Sequence, residues 1–224
     1  MSVSGRRLDM AISRDELVKL ISNALSISPK RKFKQSVELI LVLKDIDPKS
    51  QEAKVRETVF LPKDVNKEVR ICVIAEGEMA IKAREAGTYR VLTKTDLSSI
   101  DKKAAKRIAS ECDWVLVRSD LMGLAGKILG PALGPRGKVP VPVPVNVEIS
   151  TIIERYKRAV YIKNKDQLQV GCRIGTEDMD PRDIAENALA VISAIEAKLP
   201  NHDKNISEII VKTTMGPPVK IKVS

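Results

Sequence analysis

The chain has 224 residues, 43% hydrophobic and 30% charged, a balance typical of a folded globular protein rather than a disordered one. Its formal net charge of +10 favours polyanionic partners, without choosing among them or excluding a merely solvated basic surface. No apolar run approaches the roughly 20 residues of a membrane helix and charges interrupt the N-terminal segment, so we expect a cytoplasmic protein without a membrane span or secretory signal.

The first part of the chain predicts one helix followed by two strands. Ser13 and Glu16 form a capping-box pattern before apolar residues at helical spacing, so a helix should span about 14–25. A basic loop at residues 30–34 precedes the strand-like VELILVLKDI. A turn signal at Asp47-Pro48 then separates this strand from a second strand-like run, VRETVFLP.

From residue 68 onward, strand-like and helical segments alternate three times. They read VRICVIAEGE, EMAIKAREAGT, YRVLT, DKKAAKRIASE, DWVLVR and SDLMGLAGKIL. This alternation predicts βαβ crossovers around a small parallel sheet with helices on its faces. The Pro- and Gly-rich segment 129–146 is expected to be an ordered loop or extended stretch, because proline interrupts helices and central strands. A helix near 149–158 should follow.

The last part of the chain predicts strands around one long helix. AVYIKN and QLQVGCRIGT are expected to form a hairpin around Lys165-Asp166. Asp180-Pro181 should begin a helix over 181–198, whose broad apolar face suits packing on a sheet. Two further strands should flank the turn at residues 215–218.

The order of these segments predicts an α/β protein of two domains, one inserted into the other. Residues 158–224 supply strands and a helix but no repeat of the alternating middle unit. We therefore expect residues 1–63 and 158–224 to form an antiparallel α+β domain. Residues 64–157 should form the inserted α/β domain.

The reactive residue types are sparse. Cys72, Cys112 and Cys172 are widely spaced, a pattern that favours buried, reduced thiols. His202 is the only histidine, which leaves no zinc-binding set and no His-based triad. The carboxylates around Asp180 have a sufficient role at a helix start. We expect no metal, no cofactor and no catalytic residue.

Two glycine-containing segments resemble phosphate-binding loops only superficially. After the strand ICVI a single glycine, Gly77, is present, and Glu78 would repel a pyrophosphate. GPALGPRGKV lacks the glycine and hydroxyl positions of a phosphate loop. Gly134, Arg136 and Gly137 could still present amides and a cation to a polyanion, or simply shape a hinge. For the protein as a whole, the two rival interpretations are a nucleotide-dependent enzyme and a DNA-binding or scaffold protein.

Two other segments suggest contact with RNA. In the basic loop, cations surround Phe33 and could meet phosphates while the ring stacks or packs against a nucleotide. These cations are Lys30, Arg31, Lys32 and Lys34. Alternatively, Phe33 is an ordinary core residue. The turn TTMGPPVK combines hydroxyls, a glycine and rigid prolines, and could recognise RNA shape and ribose hydroxyls, or be a plain hairpin turn.

The motifs KFKQSVELILVL, ILGPALGPRGKVP and VKTTMGPPVKI, in this order, resemble the universal L-one family of large-subunit ribosomal proteins, in its archaeal form. The similarity covers nearly the whole chain. It implies an α+β domain built from both chain ends with an inserted Rossmann-like, three-layer α/β domain. It also implies a non-enzymatic ribosomal constituent that binds the lateral stalk of large-subunit rRNA, assists release of deacylated tRNA from the exit site and represses translation of its own mRNA. Free in the cytoplasm, the chain is expected to be a monomer without a cofactor.

The resemblance also implies which residues contact RNA. Matching the family's motifs places secondary contacts at Gly134, Arg136 and Gly137, in the inserted domain's loop facing the cleft. Lys34 stands where bacterial members often have an acidic residue, so its contribution could be additional or absent. The main RNA-binding set comprises Lys30, Lys32, Phe33, Lys34, Lys163, Lys165, Asp166, Thr213, Thr214, Met215 and Gly216. Asn164 matches the family's hairpin near the same surface, together with Lys163, Lys165 and Asp166. We hypothesise that Phe33 and the TTMG turn form one rigid patch that docks by shape.

Overall fold

In a computed structural model, residues 12–50, 54–164 and 167–223 are described. The chain divides into two compact units. Unit 1 comprises Met1–Lys67 and Arg158–Ser224, and unit 2 comprises Glu68–Lys157. Unit 2 is therefore inserted into unit 1 in the order of the chain.

Unit 1 consists of two helices packed on antiparallel strands, among its described residues. The elements are α1 (Arg14–Ser26), β1 (Ser36–Leu43), β2 (Arg56–Phe60), β7 (Ala159–Lys163), β8 (Gln169–Thr176), α7 (Pro181–Glu196), β9 (Ile206–Thr213) and β10 (Val219–Lys222). Strands β10, β9, β1 and β8 form a four-stranded sheet in that order, and β2 pairs with β7 in a separate two-stranded sheet.

The alternation of apolar residues decides which face of this sheet is buried. In β1 every second side chain is buried, and these side chains join one core with the apolar face of α7. Burying each such aliphatic side chain contributes about 1.5–3 kcal/mol. The buried residues of β1 are Val37, Leu39, Leu41 and Leu43, and those of α7 include Ile184, Ala188, Ile192 and Ile195.

Both helices of unit 1 begin as the sequence predicts. The Ser13 N–H donates to Glu16 Oε2 at 3.0 Å while the Glu16 N–H donates to Ser13 Oγ at 3.3 Å, so the capping box is confirmed. At the start of α7, Asp180 Oδ1 accepts the Arg182 N–H at 2.8 Å, and Pro181 occupies the first helical position.

Unit 2 is a three-layer α/β structure, which confirms the predicted fold class. The elements are β3 (Ile71–Ile74), α2 (Glu78–Glu85), β4 (Arg90–Leu92), α3 (Lys94–Ser99), α4 (Lys102–Glu111), β5 (Trp114–Arg118), α5 (Met122–Leu133), β6 (Val141–Val143) and α6 (Ile149–Lys157). The parallel sheet has the order β4-β3-β5-β6, and one apolar cluster covers each face.

The proline-rich segment 129–146 contains more regular structure than predicted. Helix α5 continues through Pro131 to Leu133, because Leu129 and Leu133 are buried in the unit 2 core and their burial outweighs the missing amide of the proline. β6 is an extended edge strand, a position where the missing N–H of Pro142 is tolerated.

Two further elements differ from the sequence prediction. β7 and β8 do not form a hydrogen-bonded hairpin, since β7 pairs with β2 and β8 with β1. Alternation cannot distinguish these partners, because it identifies the buried face and not the neighbour. The short helix α3 was not expected, although Thr93 and Asp96 form its capping box.

The expectation of three reduced thiols is wrong for two of them. Cys72 in β3 and Cys112 at the end of α4 form a disulfide whose Cα atoms are 5.7 Å apart. The two cysteines lie 40 residues apart in the chain, so only the packing of α4 against the sheet brings them together. Cys172 is a free thiol, and burial raises its pKa to about 12, which keeps it protonated.

Candidate nucleic-acid interface

The loop before β1 and the turn after β9 meet at one end of the unit 1 sheet, where the start of β1 pairs with the end of β9. The Thr214 N–H donates to the Ser36 carbonyl oxygen at 3.0 Å, and the Ser36 N–H donates to Thr214 Oγ1 at 3.1 Å. These bonds join the start of β1, which directly follows the loop at residues 30–34, to the turn at residues 214–216. We call the two segments together the sheet-end surface.

Gln35 holds both segments of the sheet-end surface in place. Its side chain is completely buried, and its Oε1 accepts the Met215 N–H at 3.0 Å. Its Nε2 lies 2.9 Å from the Pro29 carbonyl oxygen and 3.1 Å from both Ser28 Oγ and Glu177 Oε2. The Gln35 N–H donates to Glu177 Oε1 at 3.0 Å. A buried amide satisfied in this way fixes its neighbours, because each broken bond leaves an unsatisfied polar group.

Thr213 and Gly216 form the base of the turn. Thr213 is completely buried, and its Oγ1 lies 2.6 Å from Ser28 Oγ. A Cβ at position 216 would overlap Thr213 Oγ1, so the close approach of the two residues requires glycine. The sequence grouped Thr213 with the RNA-contacting residues, but the structure places its side chain beneath the surface, where it positions the turn.

The side chains above this base are exposed. Phe33 is 51% exposed and Met215 is 53% exposed, and Lys30 and Lys32, which are close to Phe33 in the chain, are also exposed. Phe33 is therefore not a core residue. An aromatic ring and a thioether on a rigid backbone can pack against a nucleotide, while neighbouring ammonium groups neutralise phosphates.

Lys34 differs from the other lysines of the loop because its charge is already paired. Its Nζ lies 2.7 Å from Asp178 Oδ2. Two hydrogen bonds to its carboxylate lower the pKa of Asp178. The bond from Lys34 has the larger effect and the bond from Thr176 the smaller. The carboxylate therefore stays ionised at neutral pH and competes with a phosphate for Lys34.

The structure does not bring Lys163 to the sheet-end surface. Lys163 ends β7, and the described residues that follow return to the sheet beside Leu43, whose N–H donates to the Leu168 carbonyl oxygen at 2.8 Å. Leu43 and Ser36 are the two ends of β1, roughly 23 Å apart in an extended strand. Only an extended ligand could touch both places. Lys165 and Asp166, also predicted to contact RNA, lie outside the described residues.

The loop of unit 2 at residues 134–137 has a structural role. Gly137 has a φ of 67°, a left-handed conformation that favours glycine, and it ends the short helical turn after α5. Arg136 is exposed and donates to the Ala132 carbonyl oxygen at 3.1 Å, and Gly134 is also exposed. The nearby Lys138 donates to the last carbonyl groups of α4, and burial lowers its pKa.

Open α/β folds bind nucleotides at the carboxyl edge of the sheet. At this edge of the unit 2 sheet, two cations are paired with carboxylates. Arg118 donates to both Oδ atoms of Asp120 at 2.6 Å. Lys82 Nζ lies 2.9 Å from Glu78 and 3.2 Å from Glu148. In both places a carboxylate competes with a phosphate for the cation. In the described part of the chain we find no cluster of metal-ligating side chains, and no helix there is long and apolar enough to span a membrane.

Sequence reasoning missed the residues that support the sheet-end surface, namely Ser28, Gln35 and Glu177. One signal was available for Gln35. The buried positions of β1 are odd-numbered, and continuing that alternation backwards places Gln35 on the core side. A polar residue on the buried face of a strand must find hydrogen-bond partners. No comparable pattern identifies Ser28 or Glu177.

One family model and several known proteins match most of the chain, and they agree on the family. The model of the Ribosomal protein L1p/L10e family matches residues 20–217. A protein from Staphylothermus marinus is 58% identical over 209 residues, which cover 93% of this chain and 97% of the relative. One from Hyperthermus butylicus is 53% identical, covering 95% and 98%, and one from Aeropyrum pernix is 56% identical, covering 90% and 92%. All three are named large ribosomal subunit protein uL1.

Proposed function

Because the chain belongs to the Ribosomal protein L1p/L10e family, and is thus a structural, non-enzymatic constituent of the large ribosomal subunit, we propose that it binds the lateral stalk of large-subunit rRNA through the sheet-end surface. Unit 1 carries the main contacts in this proposal. The loop of unit 2 at Gly134, Arg136 and Gly137 supplies at most secondary ones.

The exposure of Phe33 and Met215 carries this proposal. Leaving large apolar side chains half exposed forgoes part of their burial energy, and a rigid backbone beneath them favours a fixed complementary partner. A-form RNA offers a shallow groove lined by ribose hydroxyls, which a stiff turn can meet by shape. The net charge of +10 adds attraction that does not depend on RNA sequence.

Gel-shift titration of the full chain tests the rRNA proposal. A stalk RNA fragment is titrated in constant salt with excess transfer RNA as competitor, and duplex DNA of equal length serves as the comparison. We expect the stalk RNA to bind at least about a thousandfold more tightly than the DNA, the lower end of the usual gap between specific and non-specific binding. Equal affinity for both nucleic acids would indicate that the sheet-end surface binds polyanions in general and does not prefer RNA.

Two further roles follow from the family resemblance and extend the proposal. The chain assists release of deacylated tRNA from the exit site, and it represses translation of its own mRNA by binding a stalk-like site there. The repression role uses the same surface, so Met215→Asp should relieve repression of a reporter that carries the mRNA leader. Repression that persists at full strength in that variant would remove this role from the sheet-end surface.

The tRNA role requires a separate measurement because it concerns the assembled ribosome. Ribosomes reconstituted without the chain should release deacylated tRNA from the exit site more slowly than complete ribosomes. An unchanged release rate would exclude this role.

A further inference from the structure

Unit 2 carries a groove between α4 and α5 that the proposed RNA contacts do not use. Its volume is about 360 Å³. Ile100 and Ile128 are half-buried, so each packs against the unit 2 core while keeping part of its surface accessible. The apolar residues that line the groove are Ile100, Ala105, Ile128, Pro131 and Ala132.

Lysines surround this apolar floor. Lys102 and Lys106 on α4 and Lys127 on α5 line the groove, and all three are exposed. Within the part of the chain that the structure describes, none of the three forms an ion pair. The acidic residue in the lining, Asp101, is engaged as the N-cap of α4, where its Oδ1 accepts the Ala104 N–H at 2.7 Å. With three lysines against one carboxylate, the rim of the groove carries net positive charge.

The placement of these lysines works against the stability of α4. Lys102 and Lys106 are four residues apart, where like charges repel across one helical turn. Beyond the N-cap Asp101, no acidic residue follows in the first turn of α4, and Lys102 lies at the positive end of the helix dipole. Charges arranged at a cost to the helix that carries them are expected where an anionic partner offsets that cost.

We propose that the groove between α4 and α5 binds an acidic, amphipathic helical segment of a protein partner. Apolar side chains at positions i, i+3, i+4 and i+7 of such a segment would lie on the floor, and its carboxylates would pair with the three lysines. Nucleic acid fits this groove less well. The described lining offers no aromatic ring on which a base could stack, and the floor beneath the bases would be apolar. The groove shares no residue with the sheet-end surface, so the proposal stands independently of stalk binding.

Fluorescence anisotropy on the full chain tests the proposal. The probe is a labelled peptide of about 18 residues, or five helical turns, with leucine at i, i+3, i+4 and i+7 and glutamate at most other positions. We expect saturable binding that weakens as salt increases. A peptide of the same composition without an apolar face, and one with lysine in place of glutamate, should not bind.

Matched charge reversals locate the binding. The double variant Lys102→Glu/Lys106→Glu should weaken peptide binding at least about tenfold. Glutamate near the start of α4 favours the helix, so the loss would not reflect unfolding. The control Lys103→Glu/Arg107→Glu makes the same charge change on the same helix outside the groove lining, and should weaken binding less than about threefold.

Three results would overturn the proposal. The first is the absence of saturable binding of the leucine–glutamate peptide to the wild-type chain. The second is an equal loss in the two double variants, which would indicate attraction to net charge alone. The third is that a stem-loop RNA displaces the peptide and loses affinity in the Lys102→Glu/Lys106→Glu variant alone, which would assign the groove to nucleic acid.

Discussion

The backbone N–H of Met215 donates a hydrogen bond to Oε1 of Gln35 at 3.0 Å, joining residues 180 positions apart in the chain. Gln35 is buried, whereas Met215 and the nearby Phe33 are exposed. The bond therefore connects the interior of unit 1 to the surface that we propose for RNA. Rigidity of this kind favours binding, because little conformational freedom is left to lose.

Replacing Gln35 with leucine should weaken RNA binding, although the substituted residue is buried and cannot contact RNA itself. The change leaves the Met215 N–H without its acceptor and Glu177 Oε2 without the Gln35 Nε2 donor, at a cost of about 1–3 kcal/mol in the free energy of unfolding. Chemical denaturation and gel shifts measure the two effects. Gln169→Leu, on an exposed position of β8, is the control and should alter neither quantity. An unchanged RNA affinity in Gln35→Leu would show that the turn does not need this support.

Met215→Asp should weaken stalk RNA binding by roughly 2–4 kcal/mol, or about 30- to 700-fold in Kd, because it places an unpaired carboxylate against RNA. Gel shifts measure the Kd. Ile81→Asp introduces the same charge at a residue of unit 2 that is similarly exposed, at 55% against 53%, and should have little effect. Wild-type affinity in a folded Met215→Asp protein would refute the proposed site.

Gly216→Ala should distort the turn, because the added Cβ overlaps Thr213 Oγ1. Overpacking of this kind costs about 1–3 kcal/mol of stability, and the displaced Met215 should also reduce RNA affinity. The clash involves a single hydroxyl, so Thr213→Ala in the same chain should partly restore both quantities. A double-mutant cycle measured by thermal unfolding and gel shift tests this coupling. Additive effects would mean that the overlap is not the cause.

Asp178→Asn should strengthen RNA binding. The substitution removes a negative charge and releases Lys34 from its ion pair, so one more cation becomes available to a phosphate. The slope of log K against log salt should steepen by about 0.7–0.9, the contribution of one phosphate contact. Asp183→Asn, which disrupts an ion pair with Lys63 instead, provides the matched control. An unchanged slope would place Lys34 outside the contact surface.

Reducing the disulfide should destabilise unit 2. Closing a loop of 40 residues between Cys72 and Cys112 contributes about 4 kcal/mol by restricting the unfolded chain. Calorimetry with and without a phosphine reductant should show a lower Tm for the reduced protein and for Cys72→Ser/Cys112→Ser. Cys172→Ser should still respond to the reductant as the wild type does. A wild-type Tm that is independent of reductant would contradict this prediction.

The sequence alone determined the features that depend on neighbouring residues. The alternation in β1, the capping box of Ser13 and the Asp180-Pro181 start of α7 all predict local structure, because hydrogen bonds and burial act within a few residues there. The βαβ pattern of unit 2 likewise follows from local alternation. Residue types alone made the loop around Phe33 and the turn at residues 213–216 candidates for RNA contact, but choosing that role over a plain core residue or hairpin turn relied on motifs shared with a family.

Tertiary structure alone decided which distant residues meet. Gln35 could be identified as a polar residue on a buried face, but its partners Met215 and Glu177 lie far along the chain. The same holds for the bond between Cys72 and Cys112, and for the position of Lys163, remote from Phe33 despite the predicted grouping. The physical reason is that long-range partners are selected by strand order and packing, and no periodicity in the sequence records either.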